Sequence, residues 1–277
     1  MIKNRPLSFI VLLFVYVLAG AYGIVLFEKL QFDYRLSLLI CDVVATIIVF
    51  LFSLVFRNAS VYDPYWSVQP IVIVTAFAIM NGKNSFGTLL LAAIYFWGIR
   101  LTSNWAYTFK GLKSQDWRYT MLKEKTGKFY PFVNFTGIHL IPTLVVYLCV
   151  LPAVTAITEG FEITPLSIVF AIVSILAAML QGTADFQMHA FHKNGGHGFI
   201  RTGVWKKGRH PNYLGEILMW WGIGLSVVCA NPKCWYLLAG AVANTCLFLF
   251  ISIPLAEKHQ SRKPDFDDYK KETRLFI

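Results

Sequence analysis

A basic, proline-fixed turn runs straight into an apolar segment at Arg209-His210-Pro211-Asn212-Tyr213-Leu214-Gly215-Glu216. Leu218, Met219, Trp220 and Trp221 follow at once. Cations, an amide, a phenol and a carboxylate thus collect where a membrane helix would begin. Polar groups at the edge of hydrocarbon are costly and mark a functional site by default. Pro211 pre-sets a helix start, and the first-turn amides point toward any anion bound there. Glu216 falls one turn beyond Asn212 on the same helix face. The pattern suits a polar, anionic ligand held at the membrane surface. A capped helix with a salt bridge to Arg209 would use fewer of these groups.

Two further clusters precede this turn. Gln181-Gly182-Thr183-Ala184-Asp185-Phe186-Gln187 ends an apolar run, and Asp185 and Gln187 are poor residues to face lipid. The carboxylate of Asp185 can accept two hydrogen bonds from an amide or from ribose hydroxyls. The segment from His192 to Trp205 holds Lys193 and Arg201 among four glycines. Glycine permits close backbone approach and the cations offer phosphate contacts. Upstream lie Asp63-Pro64-Tyr65-Trp66-Ser67, Arg100, Asn104-Trp105-Ala106-Tyr107 and Asp116-Trp117-Arg118-Tyr119. Interfacial aromatic belts account for Trp66 and Trp105; they do not account for Asp63, Asn104 or Asp116. No HExxH or Cys/His pair occurs, so no catalytic metal is expected. P-loop, GxSxG and GxGxxG motifs are likewise absent.

The elements that position these residues are membrane helices. The chain of 277 residues is 56% hydrophobic and 14% charged, against about a quarter charged in soluble domains. Its apolar runs are continuous and near the roughly 20 residues that span a bilayer, which selects an all-α polytopic transmembrane bundle over a barrel. The pattern predicts about seven to eight spans, at roughly 7–27, 36–56, 66–82, 86–106, 134–157, 165–189, 213–230 and 233–254. The first run follows Lys3 and Arg5 and reads as a retained span rather than a signal peptide. One integral domain, 1–277, is expected, with the first two spans (1–57) peripheral and 58–277 carrying the motifs. The net charge is +10, and the basic residues lie in loops between spans. That pattern speaks for membrane topology and against nucleic-acid binding. The loops bearing Lys110 to Lys128 and Lys193 to Arg209, and the tail from Lys258 to Arg274, share one side with both termini. The positive-inside rule makes that side cytoplasmic. The five cysteines read as small core residues.

Taken in order, D63-P-Y-W-S, R100-L-T-S-N-W, D116-W-R-Y, A184-D-F-Q, G203-V-W, R209-H-P-N-Y-L-G-E and E257-K resemble the steroid 5-alpha-reductase superfamily. The resemblance is specifically to its bacterial membrane branch of DUF1295-type proteins. The resemblance implies a reductase-like core at 58–277, an NADPH site on the cytoplasmic side and an apolar cavity for a steroid, sterol or isoprenoid enone. It implies cofactor contacts from Arg118, Tyr119, Asp185, Gln187, Lys193, Arg201, Trp205, Arg209, His210, Asn212, Tyr213 and Glu216. Tyr107 resembles the family's catalytic tyrosine, a neutral phenol able to polarise the enone oxygen. Asp63 and Gln69 are candidates for the second polar group, Asp63 only when protonated. The Arg-His-Pro-Asn-Tyr run and Glu257 also resemble membrane methyltransferases of the isoprenylcysteine carboxyl type, which use S-adenosylmethionine. The oligomeric state is not predicted.

Overall fold

The computed structural model describes residues 4–82 and 84–276; Lys3 lies outside them. The described residues form helices and turns with no β-strand. Four long helices come first: α1 (Arg5–Lys29), α2 (Tyr34–Val55), α3 (Tyr65–Asn81) and α4 (Ser85–Thr108). A short α5 (Trp117–Thr126) leads through α6 (Tyr130–Val133) and a π-helical turn (Asn134–Leu140) into α7 (Ile141–Thr158). Then come α8 (Pro165–Lys193) and α9 (Pro211–Ala230). A 3-10 segment (Pro232–Leu238), α10 (Ala239–Leu247), a second π turn (Phe248–Ser252) and α11 (Ile253–Gln260) form one bent rod. A last helix, α12 (Phe266–Glu272), folds back from it.

The polytopic all-α bundle expected from the sequence is what the chain forms. Among the described residues, seven helical segments are long and apolar enough to cross a membrane. The expected span at 66–82 is the exception. It corresponds to α3, which has 17 residues and Pro70 inside it. It is short because Asn58 to Tyr62, just before it, are all buried, so α3 starts inside the bundle rather than at its rim. Its membrane-depth polar residues face protein, as irregular backbone at that depth requires.

Local chemistry sets the helix ends. Pro165 opens α8 behind a reciprocal Thr164–Ser167 capping box, and Pro211 opens α9. Asp116 caps α5 by accepting from the Arg118 N–H at 2.9 Å. The main core joins α3, α4, α7, α8 and α9 around Trp97, Trp220 and Ile223. A second cluster joins α1 and α2 to Tyr62, Tyr65 and Phe109. The first helix is largely exposed along one side, with Ile10, Leu13 and Phe14 outward. The second is not peripheral, because it packs against α7.

The tightest pairing is α8 with α9. Gly215 and Gly222 lie against α8 so closely that a Cβ on Gly215 would sit 2.6 Å from the Ala177 carbonyl oxygen. In lipid, small residues at a crossing let backbones approach and gain van der Waals contact. At one end of the bundle, Arg35 donates to Glu159 at 2.6 Å and ties α2 to α7. At the other end, Arg5 donates to the Ala106 carbonyl at 2.8 Å, and the tail meets the segment before α9. Both ends of the described chain therefore lie at the same end of the bundle. Replacing Gly215 by Val should lower thermal stability in detergent by about 1–3 kcal/mol through overpacking. Gly20→Val on α1, with nothing within 4 Å, should leave it unchanged in the same melt.

Candidate functional site

Two chambers meet at that end, around the start of α9. The larger, about 730 Å³, lies between the starts of α3, α5 and α9 and the end of α4. Its polar wall includes Asp63, Arg118 and Tyr119, and its apolar wall includes Trp66, Leu101 and Phe248. The smaller, about 320 Å³, lies under the tail and includes Trp205, Arg209, His210, Lys263 and Tyr269. Asp185, Asn212 and Tyr213 line both, so the polar helix entry read from the sequence is the partition between them.

A partly buried charge cluster holds the smaller chamber. Arg209 Nε donates to Glu257 Oε1 at 2.8 Å, and Lys270 Nζ donates to Glu257 Oε2 at 2.9 Å. His210 Nε2 lies 3.4 Å from the same carboxylate, and its ring stacks on Tyr213. Burial lowers the His210 pKa, with Glu257 acting against that shift. The Arg209 guanidinium also donates to the Thr273 carbonyl at 2.5 Å, and its backbone N–H donates to the Arg274 carbonyl at 3.0 Å. The tail is thereby fastened to the segment that opens α9. Phe199 stacks on Tyr269 with rings 4.6 Å apart, and Lys263 lies over the Phe199 ring.

The partition is fixed from α4. Arg100 donates to Asp185 at 2.7 Å, with its Nε and Nη2 buried and without a partner. His189 Nε2 and Asn104 Oδ1 are 2.7 Å apart. One turn below, Glu216 accepts from Trp97 Nε1 at 2.8 Å, Gln181 Nε2 at 2.6 Å and Trp220 Nε1 at 2.9 Å. In the larger chamber the Tyr119 hydroxyl donates to Asp63 Oδ1 at 2.6 Å. Burial pushes the Asp63 carboxyl up to about 6, opposed by the bond from Tyr119 and the nearby Arg118 charge. Arg118 itself pairs with Asp116 at 2.8 Å.

A family model described as a protein of unknown function, DUF1295, matches residues 49–273. This chain belongs to the DUF1295 family. The match takes in every residue lining both chambers. The chain is also similar to the uncharacterized protein C594.04c of Schizosaccharomyces pombe, 26% identical over 195 residues, with 59% of this chain and 56% of that protein covered. It thus spans just over half the length of that curated relative. No solved structure matches it.

The geometry of this DUF1295 chain brings together most of the expected site. Arg118, Tyr119, Asp63, Asp185, Asn212, Tyr213, Arg209, His210 and Trp205 all line a chamber. Six expectations need correction. Tyr107 is 68% exposed and sits outside both chambers against His189, with ring centroids 5.0 Å apart. It occupies the last turn of α4, turned toward α8 and away from the cavity. Gln69 is buried and donates to Asp42 on α2, away from the chamber walls. Gln187 accepts from the Val204 N–H at 2.9 Å and holds the loop together rather than facing a ligand. Lys193 is exposed at the end of α8. Arg201 pairs with Glu272 on the surface. Glu216 lies at the chamber wall, but its three donors make it a brace between α4, α8 and α9.

Sequence reasoning gave Arg100 no role. Its signal was the spacing Trp97, Arg100, Asn104 on one face of α4, a stripe that bonds Glu216, Asp185 and His189 in turn. Replacing Glu257 by Ala leaves Arg209 and Lys270 without their shared carboxylate. Losing one partner of a largely buried ion pair costs on the order of 3 kcal/mol. Limited trypsin digestion in detergent should then cleave between Lys258 and Lys271 at least about tenfold faster than in the parent.

Proposed function

We propose that this protein is a membrane-embedded, NADPH-dependent reductase of a C=C bond conjugated to a carbonyl in a steroid- or isoprenoid-like lipid. The observation that carries the reading is the shared partition. One apolar-walled chamber with an acid–phenol pair adjoins a second chamber bearing cations and stacked aromatic rings, and Asp185, Asn212 and Tyr213 face both. Such an arrangement suits two ligands of opposite polarity meeting at one edge. The likeness to steroid 5-alpha-reductases supports the same reading.

The residues present fit a dinucleotide. Arg209 and Lys263 offer charge to phosphates, Phe199 and Tyr269 offer flat apolar faces, and the buried Gln260 Oε1 has no partner. The α9 N-terminus adds oriented amides. Bound NADPH would supply the hydride. The chain's own part is to orient the lipid and stabilise the charge that develops on its carbonyl oxygen. With Tyr107 outside the cavity, that part falls to Asp63 and Tyr119. The phenol proton is engaged with Asp63 Oδ1, so the carboxyl in its protonated form is the donor toward a substrate oxygen. The walls exclude water from the reacting atoms. The basic end of the bundle faces the cytoplasm under the positive-inside rule.

Asp63 gives the reading a pH signature. Its proton is held to about pH 6, and the donor is lost as pH rises through that value. The associated stabilisation is complete below the ordinary carboxyl range and disappears over the same interval. Turnover of enone lipids should fall about tenfold per pH unit above 6. Asp63→Asn should remove that limb, whereas Tyr107→Phe should leave turnover nearly unchanged. A pH limb retained in Asp63→Asn would take Asp63 out of the chemistry.

The Arg209, His210 and Glu257 cluster favours a second reading, an S-adenosylmethionine-dependent methyltransferase. Thermal shifts of detergent-purified protein separate the two. A ligand at about a hundred times its Kd stabilises by about 2.7 kcal/mol. NADPH should raise the melting temperature, and Asn212→Ala and Asp185→Ala should abolish the shift. A shift with S-adenosylmethionine alone would replace the reductase reading.

A further inference from the structure

A line of buried hydroxyl groups runs from the larger chamber into the bundle and ends on a carboxyl that the site does not use. Tyr62 borders the chamber. Its hydroxyl is 2.9 Å from Thr143 Oγ1 on α7, and Thr143 Oγ1 is 2.9 Å from Thr46 Oγ1 on α2. Thr46 stands one turn from Asp42 on the same face of α2, and the Tyr65 hydroxyl reaches Asp42 Oδ1 at 3.4 Å. Thr46 and Thr143 are fully buried, and Tyr62, Tyr65 and Asp42 are at most 6% exposed. Among the described residues, no cation bonds Asp42; its partners are Tyr65 and Gln69.

We propose that Asp42 is an intramembrane proton store, linked to the chamber by the relay Tyr65, Thr46, Thr143 and Tyr62. A charge buried without a counter-ion is disfavoured, so a neutral acid is the form this site accommodates. Every linking group is a hydroxyl, which can donate and accept at once. Once the Tyr65 hydroxyl turns from Asp42 Oδ1 toward Thr46, a proton leaving Asp42 passes to Tyr65 as Tyr65 hands its own to Thr46, and so on to Tyr62, which releases its own proton to the chamber; only O–H bonds form and break. Gln69 suits both states of the store. Its amide N–H meets Asp42 Oδ2 as the structure stands, and its Oε1 has no partner. Turning the amide over puts Oε1 where it accepts the acid proton. At the chamber end, Tyr62 adjoins Asp63 in sequence and both line the same wall. The relay would return to Asp63 the proton that it gives to a reduced enone. That use rests on the reductase reading; the store and its path do not.

The test is infrared difference spectroscopy of the full-length protein in detergent, with no substrate or cofactor. The carbonyl stretch of a protonated carboxylic acid should be present and should vanish in Asp42→Asn. On transfer to deuterated buffer that band shifts as the proton exchanges. Thr143→Val keeps the shape but removes the hydroxyl, and should slow the exchange at least about tenfold. Thr46→Val, one link deeper, should do the same, and Thr143→Ser should restore the parent rate. Melting curves matching the parent confirm that the Val variants are folded. No acid band lost in Asp42→Asn, or parent-like exchange in both Val variants, would overturn the proposal. Because no turnover is measured, failure of the reductase reading leaves this result intact.

Discussion

A carboxylate inside hydrocarbon must be met by donors, and Glu216 is met by three from three helices. Trp97 comes from α4, Gln181 from α8 and Trp220 from α9 itself. Removing any one would leave a buried acceptor short, at a cost of about 1–3 kcal/mol. The site depends on this brace, because α4, α8 and α9 are the helices that carry Arg100, Asp185 and Asn212. Close backbone contact at Gly215 and Gly222 allows it: a bulkier residue would push α9 from α8 and pull Gln181 out of reach. Packing and polar satisfaction are thus one constraint at this crossing.

Above the brace, the polar groups sort by what they already hold. Glu257 and Asp116 are occupied with neighbouring cations and shape the walls. Asp63, Asn212 and Tyr213 face open volume. Arg100 holds Asp185 with one nitrogen and keeps two without partners. The chambers differ in kind as a result. One combines apolar wall with an acid, the other combines cations with aromatic faces, and the start of α9 separates them.

Much of this was legible in the sequence, for reasons that differ by residue. Helices showed themselves through long apolar runs, and the start of α9 through Pro211 with polar neighbours. Asp185, Arg209 and Asn212 stood out because hydrocarbon makes such residues conspicuous. Which way a side chain faces was not legible. Tyr107 and Asn104 are three residues apart on α4, and only the packing of α8 decides that Asn104 lines the chamber while Tyr107 faces out. Gln69 was noticed, yet its partner Asp42 was not, because they lie 27 residues apart on separate helices. The buried re-entry of Asn58 to Tyr62, which shortens α3, has no mark in hydropathy, since its residues resemble any interfacial loop.

The bond between Arg209 and Glu257 has a consequence for how the protein is made. The two residues are 48 positions apart, so Arg209 leaves the ribosome first. At about 5–20 residues per second, it waits roughly 2–10 seconds for its carboxylate. Throughout that interval it is a bare cation at the mouth of an inserting helix, which resists translocation and is drawn to anionic headgroups. Once Glu257 arrives, the same guanidinium fastens the tail over the finished chamber.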